Sequence, residues 1–95
     1  MFGDDYKIRK ALVTLAIEKS LLDVSKPLYD KVVETLRKEH NCYLPDCYEH
    51  PEYLKQILEK LYGKAHSKIV ISIQKNLEEF SYVPPIKEFL RVISQ

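Results

Sequence analysis

Two glycines, five prolines, no tryptophan and one methionine are the first facts about this chain of 95 residues. So little glycine argues against an all-β fold, which needs many tight turns. The formal charge of +1, from 15 basic and 14 acidic residues, gives no global pull toward nucleic acid or anionic lipid. Long apolar runs are also missing. The longest, Ala11 to Ile17, is interrupted by Thr14 and falls far short of the ~20 residues that span a bilayer. Asp4 and Asp5 stand where a cationic leader would begin, so no secretory signal is expected. With only two cysteines and no export signal, the expectation is a cytoplasmic protein with free thiols.

What is present is helix. A hydrophobic fraction of 45% and a charged fraction of 31% belong to a globular domain, and this length supports one core. The apolar spacing predicts a compact all-α single domain over residues 1–95, with two helical hairpins and a short C-terminal helix, about five helices in all. The first runs from about Asp4 to Asp23. It carries two apolar stripes, one of Ile8, Leu12, Leu15 and Leu22, the other of Val13, Ile17 and Leu21. A helix apolar over more than half its circumference is central in a bundle or part of an oligomer interface; the central position is the expectation here. Ser25 reads as an N-cap with Pro27 in the first turn, and Leu28, Tyr29, Val32, Val33 and Leu36 mark a second helix ending near His40. A third starts at His50-Pro51 and presents Leu54, Ile57, Leu58, Leu61 and Tyr62, with Gly63 as a left-handed stop. A fourth, Lys64 to Phe80, buries Ile69, Ile73, Leu77 and Phe80, with Val70 and Ile71 widening its stripe. Ser81–Pro85 breaks it, and the last helix carries Ile86, Phe89, Leu90 and Ile93.

Between Glu39 and Leu54 the chain gathers both cysteines, two of three histidines, three tyrosines and four carboxylates, without Lys or Arg. Four soft or borderline ligands, His40, Cys42, Cys47 and His50, invite a zinc reading. Their spacing differs from the common knuckles, and Pro45 stiffens the middle of the loop. A Cys42–Cys47 disulfide and free thiols packed as small hydrophobes are the alternatives, the last being the expectation. Cys47 lies three residues before His50, close enough on a short turn for a nucleophile to face its base. Asp46, Glu49 and Glu52 oppose a thiolate, however, and no oxyanion elbow accompanies it, so no enzyme is expected. The same carboxylates lack the alternating spacing and glycine of an EF-hand. Asp46 is expected to cap a short turn, with Glu49 and Glu52 favouring the start of the third helix. No cofactor or small-molecule substrate is implied.

From Leu54 to Leu77 the balance reverses: Lys55, Lys60, Lys64, Lys68 and Lys75 face the single Glu59, a local +4. Lys55, Lys60, Lys64 and Lys68 would suit phosphate contacts, and a DNA-associating, transcription-linked protein is one alternative reading. A solvated lysine face is commoner, and the start of the fourth helix is thin in the Arg, Asn or Gln that read bases. The opposed acidic and basic patches point more readily to a protein partner or to self-association. Tyr43, Tyr48, Glu49 and Glu52 form the candidate interaction surface; Tyr53 is expected to pack over a helix end.

Several blocks carry a resemblance: Pro27-Leu28-Tyr29-Asp30-Lys31-Val32, Cys42-Tyr43-Leu44-Pro45-Asp46-Cys47-Tyr48-Glu49-His50-Pro51-Glu52-Tyr53-Leu54, Leu61-Tyr62-Gly63, Glu79-Phe80-Ser81, and Pro85-Ile86-Lys87-Glu88-Phe89-Leu90. Together they resemble a small family of archaeal proteins called nitrosopumilus output domains, over nearly the whole chain. The resemblance implies a helical domain that receives or relays a signal by contact, with no catalytic or ligand residues to carry over.

Overall fold

The structure is a computed structural model and describes residues 2–95, with side chains from residue 5 onward. Five α-helices make up the described residues, with no strand among them: α1 (Phe2–Val24), α2 (Lys26–His40), α3 (Pro51–Tyr62), α4 (His66–Asn76) and α5 (Pro84–Ile93). Three 3-10 turns, Leu44–Tyr48, Gly63–Ala65 and Glu78–Phe80, fill the joints. The all-α expectation holds. A Cα radius of gyration of 12.5 Å equals what one domain of this length should have, about 12.4 Å.

The joints follow from local chemistry. Ser25 alone separates α1 from α2, and its hydroxyl accepts the Leu28 amide at 3.1 Å, with Pro27 in the first turn. Asn41 closes α2 with φ 52° and ψ 43°, its amide donating to the carbonyls of Leu36 and Arg37. Gly63 does end α3 at positive φ. Its ψ of −128° nevertheless lies outside the left-handed helical region, so the stop is a glycine-only bend followed by a 3-10 turn. That turn delays α4 to His66. At its other end α4 stops at Asn76, short of the expected Phe80. The Leu77 amide is shared between the carbonyls of Ile73 and Gln74, and the chain tightens into the 3-10 turn that follows.

Each helix contributes a buried stripe: Val13, Ile17 and Leu21; Leu28, Val32 and Leu36; Leu54, Ile57 and Leu58; Ile69, Val70 and Ile73; Ile86, Phe89 and Ile93. Leu44 and Cys47 from the first 3-10 turn and Leu77 complete the core. The central placement of α1 is not what forms. Its Val13 stripe faces α2, α4 and the Leu44–Tyr48 turn, while Ile8, Leu15 and Leu22 stay 56%, 60% and 41% exposed on the opposite side. Two helices and a turn cover one side of a 23-residue helix and leave the other open.

Candidate contact surface

The Glu39–Leu54 segment does not stand free. Leu44 and Cys47 anchor it in the core, and the Asp46 carboxylate accepts the Tyr43 amide at 2.8 Å, the cap its position suggested. Glu49 does not serve the start of α3. It pairs with Lys10 of α1 at 3.0 Å, and Asp46 stands 3.9 Å from the same ammonium. Tyr48 is half-buried against α1, its ring edge-on to Tyr6 at 5.5 Å and its hydroxyl accepting from Arg9 Nε at 3.4 Å. Of the four residues expected to form a surface, Tyr48 and Glu49 therefore hold the turn onto α1. Tyr43 and Glu52 face solvent, and Tyr43 is the more open at 66%.

His40 and His50 are laid flat on opposite faces of the Tyr53 ring, with centroids at 4.0 and 4.5 Å and planes within 12° and 10° of parallel. The stack pins the end of α2 to the start of α3, so Tyr53 is packing, as its spacing suggested. Ring stacking draws the histidines toward Tyr53, and among the described residues no three His, Cys, Asp or Glu side chains gather as a metal site requires. Both cysteines are free thiols, Cys47 fully buried and Cys42 half-buried. Burial pushes the Cys47 thiol up to about 12, with Cys42, Asp46 and Glu52 adding to it. Burial first and Asp46 second also raise Cys42. A thiol held protonated is a poor nucleophile.

The expected basic face is dispersed and partly occupied. Lys55 pairs with Glu59 at 3.6 Å within α3, and Lys60 pairs with Glu39 across to α2. Lys64 and Lys68, on the turn after α3 and on α4, are exposed.

Two features had no local signal in the sequence. Ser20 is buried and its hydroxyl accepts from Ser72 at 3.1 Å and Asn76 at 2.9 Å, a polar tie between α1 and α4. The second is an apolar groove of about 520 Å³ beside the open stripe of α1, lined by Lys7, Lys10, Ala11, Thr14, Leu15 and Pro45. Its walls are methyls, lysine stems and the proline ring, so it offers contact area and little hydrogen bonding. Stripe and groove adjoin through Leu15, whereas Tyr43 lines a separate cleft with Asp30, Val33, Glu34 and Arg37 of α2. No helix among the described residues is long and apolar enough to cross a membrane. No family model, no curated protein and no solved structure matches the chain.

Proposed function

We propose that this chain is a non-enzymatic regulatory domain of the archaeal cytoplasm, a signalling output module that acts by binding protein. The observation that carries this reading is the open stripe of α1. Ile8, Leu15 and Leu22 expose large aliphatic side chains along about four turns of the longest helix. They are rimmed by Lys7, Glu18, Lys19 and Asp23, and an apolar core inside a charged rim is how protein interfaces are built. The archaeal and signalling parts of the proposal rest on the sequence resemblance in the Cys42–Leu54 block. The ion-paired Lys55 and Lys60 give the DNA-associating alternative no support.

Photo-crosslinking in the native host tests the contact itself. A photoreactive residue at Leu15 or Tyr43 should yield discrete protein adducts, and the same residue at Lys87, on the exposed side of α5, should not. No adduct from either test position, or equal labelling from Lys87, would sink the reading.

A further inference from the structure

The charges around the open stripe say more about what covers it. Ile8, Leu15 and Leu22 lie seven residues apart, with Ala11 and Glu18 three residues after the first two. This is the 3.5-residue seam by which one helix packs along another. Glu18 interrupts it, placed between Leu15 and Leu22, and it meets no cation of its own chain among the described residues. A partner helix must therefore bring a positive charge to this point and a large apolar side chain to the small Ala11.

A second copy of α1 does both when it runs antiparallel. Layers that pair Ile8 with Glu18 and Ala11 with Leu15 repeat on either side of a twofold axis. Each Glu18 then stands within about one residue's rise, ~1.5 Å along the axis, of the other copy's Lys7. On the opposite flank each Lys19 comes within two residues' rise, ~3 Å, of the other copy's Asp5. Leu15 of each copy covers Ala11 of the other, at the apolar groove that Pro45 borders. A parallel pair would instead set Glu18 against Glu18 and Ala11 against Ala11, which joins like charges and leaves a hole.

We infer that the open face of α1 is a homodimer interface in which two α1 helices pack antiparallel, with reciprocal Lys7–Glu18 contacts across a twofold axis. This inference rests on the protein-contact reading above and names its partner. Sedimentation velocity over a concentration series reaching the millimolar range tests it. The wild-type chain should dimerise. Leu15→Glu, at a position already 60% exposed in the single chain, should keep the helical circular dichroism and weaken the dimer about a hundredfold. Lys7→Glu or Glu18→Lys alone should weaken it roughly tenfold. The K7E/E18K double variant should return to near wild type, because the exchanged charges meet again across the seam. Within one chain the two positions are eleven residues apart, about 16 Å, so the exchange cannot act there.

A wild-type chain that stays monomeric throughout the series overturns the inference. So does a dimer indifferent to Leu15→Glu, or a double variant no better than the single ones. Adducts from Leu15 to a different protein, with a monomeric wild type, would remove the second copy while leaving the contact reading standing.

Discussion

Cys47 shows how burial sets the chemistry of one residue. Its thiol is raised from the ordinary 9.0 to about 12, by desolvation first, then by Cys42, Asp46 and Glu52. A group whose proton is held more tightly in the folded chain stabilises it fully below the unfolded pKa. That contribution is lost as pH rises from about 9 toward 12. Urea unfolding at successive alkaline pH values should therefore show stability falling by up to about 1.4 kcal/mol per pH unit from this group. Cys47→Ala should flatten the slope, and a slope identical to wild type would refute the assignment. Ser20 makes the complementary case of a buried polar group that is satisfied. Replacing it with Ala removes the acceptor for both Ser72 and Asn76, so the urea midpoint should fall by the equivalent of about 1–2 kcal/mol with an unchanged m-value. Nothing adjacent to Ser20 in sequence announces this, because both partners lie more than fifty residues away.

At the scale of elements, what could be read in advance tracks how local the cause is. The Ser25 cap, Pro27, the proline after His50 and the Ser81–Pro85 break each act within a turn of themselves, and the helix joints fall close to where they indicated. The end of α4 was not legible, since Leu77 and Phe80 keep the helical spacing while the backbone tightens around a shared hydrogen bond. Gly63 was legible as a stop but not in its conformation. At φ +56° and ψ −128° a Cβ would meet nothing within 4 Å, so any penalty at this position is one of backbone and not of space. Gly63→Ala should cost about 1–3 kcal/mol in chemical denaturation, and a neutral result would show that the joint relaxes into another turn. The docking of the Leu44–Tyr48 turn was beyond the sequence too, because Lys10 lies more than thirty residues from its carboxylate partners. All three side chains are partly solvated, so Lys10→Met should cost no more than about 1 kcal/mol globally. Hydrogen exchange should nonetheless quicken at the Glu49 and His50 amides, which are bonded to the Asp46 carbonyl.

For the molecule as a whole, the ambiguity that mattered was which side of α1 is inside. Its two stripes are similarly apolar, so composition cannot choose between them. The choice falls to the combined shape of α2, α4 and the Leu44–Tyr48 turn, which close over Val13, Ile17 and Leu21. The resulting core is continuous from α1 to α5, and this makes a claim about cooperativity. A chain of this length should have a total stability of about 5–14 kcal/mol. Phe89, fully buried where α5 packs on α3, sits at the far end of that core from the open face of α1. Phe89→Ala should remove about 3–5 kcal/mol, a large fraction of the whole. If the helices form one cooperative unit, tyrosine fluorescence and far-UV circular dichroism should shift together to one lower urea midpoint. If α5 were an appended element, helical signal equal to a ten-residue segment would be lost first, with the tyrosine transition left in place. The continuous burial from Leu54, Ile57 and Leu58 through Ile86, Phe89 and Ile93 selects the single transition.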